Sequence, residues 1–287
     1  LKVFKDVNEM KEYSHSQILS GKTIGFVPTM GALHEGHLSL IRRAREENHI
    51  TVVSIFVNPI QFGPNEDLNK YPRDLEGDRA KLEALGVDAL FLPTPDTMYP
   101  EGFKTYVTVE WLSDKLCGTF RPGHFRGVTT VVLKLFNIVK PTRAYFGLKD
   151  FQQTLIIKTM VRDLNLDVEI VPCPTVREPD GLAMSSRNSY LSDEERAGAN
   201  FIYQALKEAE RIIKNGGSFK EAVQALNERL LKSPFVKEVQ YASVYDPDTL
   251  EDLRDVDVKI YTKLEVVFAV ALLYGKARLI DNLIVKL

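Results

Sequence analysis

Residues 50–57 read ITVVSIFV, a nearly unbroken apolar run. A strand with no alternating polar face must be covered on both sides, as an inner strand of a parallel sheet clad by helices is. The surrounding sequence supplies the rest of that architecture. Residues 23–27, 87–92, 143–147 and 168–171 read as strands, and residues 38–48, 73–85, 128–139 and 151–164 carry helical patterns between them. Gly86, Pro93 and Pro141 mark boundaries. Such alternation predicts an α/β fold, a Rossmann-like parallel sheet, with ligands at the carboxyl ends of its strands.

The rhythm breaks over residues 172–188, where Pro172, Pro174, Pro179 and Gly181 make a connector. Ser192 and Glu195 have the spacing of a capping box opening a long helix. That helix would bury Ile202, Leu206, Ala209 and Ile213 and end at Asn215-Gly216-Gly217. A second helix is expected over 218–231, then β-rich runs over 239–245, 266–274 and 279–285. Two domains are expected: residues 1–175, Rossmann-like, and residues 176–287, a smaller α+β lid.

Composition removes several function classes. With 37 basic and 39 acidic residues the net charge is −2, without the basic signature of a nucleic-acid binder. Cys117 and Cys173 stand far apart and outside any CxxC spacing, which argues against a disulfide framework and a thiolate zinc site. They fit a reducing, cytosolic compartment. The first ten residues lack the continuous apolar core of a signal peptide. No apolar run is long enough to span a bilayer, so a soluble, cytoplasmic protein with no membrane partner is expected.

The segment Met30-Gly31-Ala32-Leu33-His34-Glu35-Gly36-His37 lies where a strand passes into a helix. Helix starts offer unpaired N–H groups and a positive dipole end to anions. Gly31 and Gly36 remove Cβ atoms where a phosphate must come close. His34 and His37, three apart, can address one ligand with hydrogen bonds that strengthen as charge builds on it. A lone histidine more often caps or packs; a pair at such a junction favours phosphate chemistry. The His-x-x-His spacing is one residue short of the zinc-protease pattern and has no third ligand, which argues against a metal.

Three further segments bear chemistry. Ala183-Met184-Ser185-Ser186-Arg187-Asn188 puts two hydroxyls and a guanidinium in what reads as a flexible loop, suited to polyphosphate oxygens. Alone it would pass for a polar surface loop; paired with the histidines it supplies a second phosphate grip. At the junction Gly147-Leu148-Lys149-Asp150, the glycine permits close backbone approach, Lys149 offers a point charge, and Asp150 is a helix cap or ribose acceptor. Gln153 follows in the first helical turn, while Gln152 reads as an ordinary surface residue. Gln61, in the loop 58–63 after the long apolar run, is a candidate hydrogen-bonder to substrate. The glycine-bounded basic stretch 121–127 is either an anion holder or a structural turn.

The histidine pair together with Met184-Ser185-Ser186-Arg187 resembles the HIGH/KMSKS nucleotidyltransferase superfamily. The stretches 27–37, 56–63, 71–73, 121–127, 146–153 and 184–191 are together similar to its pantoate–β-alanine ligase family. That resemblance implies ATP-dependent condensation of (R)-pantoate with β-alanine through a pantoyl adenylate, releasing AMP and pyrophosphate. It implies an ATP site lined by Met30, Gly31, Ala32, Leu33, His34, Glu35, Gly36, His37, Gly147, Leu148, Lys149, Asp150, the backbone at Val176, Met184, Ser185, Ser186 and Arg187. Catalytic roles fall to His34, His37, Lys149, Ser185, Ser186 and Arg187, with His37 as proton donor. Gln61 and Gln153 would hold pantoate, and Gln61 would also place β-alanine. Mg²⁺ is expected on the phosphates, with Asp78 as a candidate contact, and the family implies a homodimer.

Two positions depart from the pattern. Leu148 stands where many relatives carry a polar residue, and the leading lysine of KMSKS is missing, which leaves Lys149 as its substitute. The rival readings are a transferase of the same superfamily acting on a phosphorylated substrate, and a nucleotide-binding regulator without turnover.

Overall fold

Every residue of Ile50–Ile55 is buried in the computed structural model, which describes residues 1–287. The chain divides into two units, Leu1–Asp114 with Arg121–Pro174, and Lys115–Phe120 with Thr175–Leu287. The first unit runs β1 (Lys2–Phe4), α1 (Val7–Leu19), β2 (Ile24–Thr29), α2 (Glu35–Glu47), β3 (Ile50–Ile55), α3 (Leu75–Ala84), β4 (Ala89–Phe91) and the short α4 (Pro95–Met98). After α5 (Cys117–Phe120), which groups with the other unit, come α6 (His124–Val139), β5 (Arg143–Gly147), α7 (Phe151–Asp163) and β6 (Glu169–Cys173).

The sheet order is β1-β4-β3-β2-β5-β6 and every pairing is parallel. From β2 the chain builds outward through β3 and β4, then returns to place β5 and β6 on the other side. The order therefore reverses between β2 and β5, where Gly25 lies opposite Arg143 and Phe26 opposite Ala144. Such a switch leaves a crevice at the carboxyl ends of the two strands, because the following helices go to opposite faces. The histidine segment leaves β2 there, and residues 147–150 leave β5.

Two elements carry no pattern that marks them in the sequence reading: β1, and α1, whose N-terminus Asp6 caps by accepting from Asn8 and Glu9 N–H at 2.8 and 3.1 Å. Helix α6 begins at His124 rather than residue 128. Gly123, at φ +80°, turns the chain into it.

The second unit contains α8 (Asp193–Gly198), α9 (Phe201–Lys214), α10 (Phe219–Leu230) and the antiparallel strands β7 (Val236–Tyr245), β8 (Glu265–Tyr274) and β9 (Ala277–Lys286) in order β7-β8-β9. Ile202, Leu206, Ala209 and Ile213 pack with Phe219, Leu226, Phe268 and Leu272 in its core, each large side chain worth about 1.5–3 kcal/mol on burial. The Ser192–Glu195 capping box is formed, with bonds of 3.2 and 2.9 Å.

The single long helix expected there is two. Tyr274 Oη donates to the Glu195 carbonyl at 2.8 Å, occupying the acceptor that Ala199 N–H would use in a continuous helix. Ala199 N–H bonds Arg196 O instead, and the turn breaks before Phe201. No helix is long and apolar enough to cross a membrane.

Candidate active site

The loop after β2 is held from α3. Thr29 Oγ1 donates to Ser54 O at 2.8 Å and accepts from Gly31 N–H at 3.2 Å. Gly31 has φ +82°, and a Cβ on it would lie 3.0 Å from Ile55 Cγ2 and 3.1 Å from Asp78 Oδ2. Glycine is therefore required by the turn itself, not only by clearance for a ligand. The buried Asp78 carboxylate accepts from Ala32 N–H at 2.8 Å through Oδ2 and from Leu33 N–H at 2.7 Å through Oδ1. Burial pushes this carboxyl up, against the pull of the two amides and of Lys81. Lys81 Nζ donates to Leu33 O at 2.7 Å. The Leu33 side chain belongs to the core, and the amides of Gly31, Ala32 and Leu33 are all engaged within the protein.

His34 is the N-cap of α2, and its Nδ1 accepts from Gly36 N–H at 3.1 Å. His37 Nδ1 in turn accepts from His34 N–H at 3.2 Å. The two imidazoles thus form a capping box, with ring centroids 4.1 Å apart. Fewer N–H groups stand open at this helix start than expected: Gly36 N–H is taken by His34, and His37 and Leu38 N–H bond the His34 carbonyl. What the site offers instead follows from the tautomers. A ring nitrogen that accepts from a backbone amide carries no proton, so both rings hold theirs on Nε2. The pair presents two Nε2–H donors.

Charge agrees with this assignment. Burial lowers His34 to about 4, with Lys149 and Lys81 adding to it against Asp150. Burial lowers His37 to about 3, assisted by His34, Lys149 and Lys81. Both rings are neutral at pH 7. The His37 ring then carries its proton on Nε2 and offers it as a hydrogen-bond donor. The unfolded chain, with ordinary histidines near 6.5, takes up protons that the folded chain refuses. Stability contributed by the neutral pair is thus complete above about pH 6.5 and falls as pH drops toward 4 and 3. We expect ¹⁵N-detected imidazole spectra to show both histidines as Nε2–H tautomers, unchanged from pH 8 to 5.5. A ring titrating near 6.5 would refute the assignment.

Lys149 lies at the end of β5, 3.7 Å from Asp150 and mostly covered. Its charge reaches both imidazoles, so the structure brings the β2 and β5 segments together electrostatically. At Gly147 an added Cβ would meet nothing within 4 Å and φ is −78°, so open space rather than backbone strain distinguishes this position. Asp150 occupies the N-cap position of α7 without a side-chain capping bond. The Glu35 carboxylate is paired with Arg42 on an exposed face of α2.

Gln61 is buried in the short helix Pro59–Gln61. Its Oε1 accepts from Asn58 Nδ2 at 2.9 Å, and its Nε2 lies 3.5 Å from Met30 Sδ, which ties it to the histidine loop. Gly127 of α6 packs against it so closely that a Cβ would lie 2.6 Å from Gln61 Cα. His124 Nδ1 is 3.0 Å from Gln61 O and must be the donor to that carbonyl; Arg121, paired with Glu66, donates to His124 Nε2 at 3.2 Å. The stretch 121–127 is thus a structural turn that braces Gln61. Gln153 is half-buried. Gln152, read from the sequence as a surface residue, is buried and donates to Leu112 O at 2.8 Å. Asn58, Lys81 and Gly127 went unassigned in the sequence reading; the Asn-Pro pair directly after a buried strand was the one available signal.

In the second unit, the segment 183–188, read as a loop, is entered through a hairpin and contains a short helix. Met184 N–H donates to Val176 O at 3.0 Å, Arg177 and Ala183 form an antiparallel bridge, and Gly181 at φ +98° makes the turn. Arg177 grips the buried Asp281 carboxylate at 2.6 and 2.9 Å. The hairpin runs into a short helix, Ser186–Tyr190, whose N-cap Ser185 accepts from Arg187 N–H at 3.3 Å. Met184, Ser185, Ser186 and Arg187 thus lie at the end of this hairpin and in the start of the short helix.

No group of three or more His, Cys, Asp or Glu side chains is placed to hold a metal.

A model of the family described as pantoate-beta-alanine ligase matches residues 2–284. The pantothenate synthetase of Thermodesulfovibrio yellowstonii is 61% identical over 277 residues, covering 96% of this chain and 97% of that protein. That of Thermotoga petrophila is 56% identical over 287 residues, with 99% of each covered. Among solved structures, pantothenate synthetase from Thermus thermophilus superposes with TM-score 0.92 at 49% identity over 99% of both chains. The Francisella tularensis pantoate-beta-alanine ligase, complexed with beta-gamma ATP and beta-alanine, superposes with TM-score 0.80 at 36% identity over 99% of this chain and 97% of that one.

Proposed function

The chain belongs to the pantoate–β-alanine ligase family, and from that premise we propose how it joins (R)-pantoate to β-alanine at the expense of ATP. A carboxylate and an amine at neutral pH form a salt, because oxide is a poor leaving group. In the first step a pantoate carboxylate oxygen attacks the α-phosphorus of ATP, the bond to the bridging oxygen breaks, and pyrophosphate leaves. In the second, the neutral amine of β-alanine attacks the acyl carbon of pantoyl adenylate, and the C–O bond to AMP breaks. Exclusion of water protects the mixed anhydride between the steps.

The observation that carries this reading is the pair of imidazoles that accept backbone amides at Nδ1 and so hold their protons on Nε2, next to the β2/β5 switch. Donors fixed before the reaction stabilise charge developing on phosphate oxygens without reorganising. Lys149 adds a point charge, and Ser185, Ser186 and Arg187 add donors. Met30, Gly31, Ala32 and Leu33, with Gly147 and Leu148, Asp150, Val176 and Met184, complete the ATP contacts of this reading. Mg²⁺ bound with ATP would neutralise charge on its phosphates. Gln61 and Gln153 hold pantoate, Gln61 also meets β-alanine, and the enzyme works as a cytoplasmic homodimer.

ATP–pyrophosphate exchange tests the scheme. Exchange should require pantoate and proceed without β-alanine. A folded, ATP-binding protein that shows none with pantoate would overturn it.

A further inference from the structure

Gln61 can face a substrate with its amide oxygen or its amide nitrogen, and the choice decides which atoms it can hold. Gly127 O lies 3.1 Å from one terminal atom of Asn58. A carbonyl only accepts, so that atom is the Asn58 NH₂ group. The same NH₂ is 2.9 Å from Gln61, whose facing atom must then be the acceptor, Oε1. The Gln61 NH₂ is left pointing the other way, with only a thioether, a weak acceptor, at 3.5 Å. At the far end, Tyr99 Oη donates to Asn58 Oδ1 at 2.7 Å. Burial pushes the Tyr99 phenol well up, so its proton is retained at any working pH.

We propose that Tyr99 is a positioning residue for the reaction: with the Gly127 carbonyl, it fixes Asn58 so that Gln61 shows substrate only N–H donors. This rests on the functional reading above and narrows it. Gln61 then binds an acceptor oxygen, a carboxylate or hydroxyl of pantoate. It does not accept a hydrogen bond from the β-alanine amine, and any contact with β-alanine is to that substrate's carboxylate. The chain of donors runs in one direction, Tyr99 to Asn58 to Gln61 to ligand, and each bond polarises the next.

Steady-state kinetics on the full chain, varying pantoate and ATP in turn, test the proposal. Tyr99→Phe keeps the ring packed against Phe103 and Phe56 and removes one buried donor. It should raise KM for pantoate about 5–20-fold, the worth of one such bond, with KM for ATP and kcat within about twofold. Asn58→Asp cannot donate to Gly127 O or to Gln61, so the Gln61 amide must reverse. KM for pantoate should then rise about 100-fold or more. The proposal is overturned if both KM values rise together, if kcat alone falls, or if Tyr99→Phe changes nothing. The two variants disturb different packing, so a folding defect in one leaves the other to decide. Wild-type protein lacking pantoate-dependent exchange would instead sink the underlying functional reading.

Discussion

Replacing His37 by alanine should lower pantoate-dependent ATP–pyrophosphate exchange about 10²–10³-fold, the usual cost of losing one preorganised donor to a developing oxyanion. ATP affinity should change by no more than about fivefold, because the ground-state phosphate gains less from the same bond. The alanine variant also removes the acceptor for His34 N–H, and an uncapped helix start costs about 1 kcal/mol. Two other substitutions separate the cap from the chemistry. In His37→Asn the side-chain oxygen can stand near Nδ1 and keep the cap, but nothing reaches the Nε2 position. In His37→Gln the amide N–H₂ can reach that position while the cap is lost. The reading requires the glutamine variant to be the more active and the asparagine variant the more stable. If asparagine retains activity and glutamine does not, His37 serves the helix and not the phosphate. A parallel collapse of ATP binding in all three variants would mean that His37 supplies uniform binding.

The architecture was legible because it rests on local periodicity. An apolar run such as Ile50–Ile55 has one comfortable environment, and strand–helix alternation leaves few topologies. The histidine pair was legible because its glycines and its place at a strand end are local too. What was not legible depends on residues far apart in the chain. Asp78 lies on an ordinary amphipathic helix, and nothing in its neighbours announces that it holds the amides of Ala32 and Leu33. Gln152 and Gln153 differ by about 100° of helical turn, and only the Leu112 carbonyl decides which of them is buried. The imidazole capping box was hidden for a further reason: caps are ordinarily sought as Ser, Thr, Asp or Asn. The break between α8 and α9 turns on a tyrosine hydroxyl from β8 that takes a single carbonyl.

Asp78→Asn should cost at least about half the stability that Asp78→Ala costs, and this comparison decides between two roles for the carboxylate. In the structure each oxygen accepts one backbone amide. Alanine leaves both N–H groups unpaired at a covered site, for a loss of about 3–5 kcal/mol in urea or thermal unfolding. Asparagine keeps one acceptor but turns an NH₂ group against the other N–H, donor facing donor, so about half of that loss or more should remain. Both variants should cut exchange by at least about 10²-fold, since the loop they release leads into His34, and a displacement of 1 Å is enough for that. A metal-contact role predicts a different pattern. Asparagine still offers a carbonyl oxygen to Mg²⁺, stability in the absence of nucleotide would be almost unchanged, and raising Mg²⁺ would restore much of the rate. With the loop itself displaced, excess Mg²⁺ restores nothing, and the stability loss appears before any substrate is added.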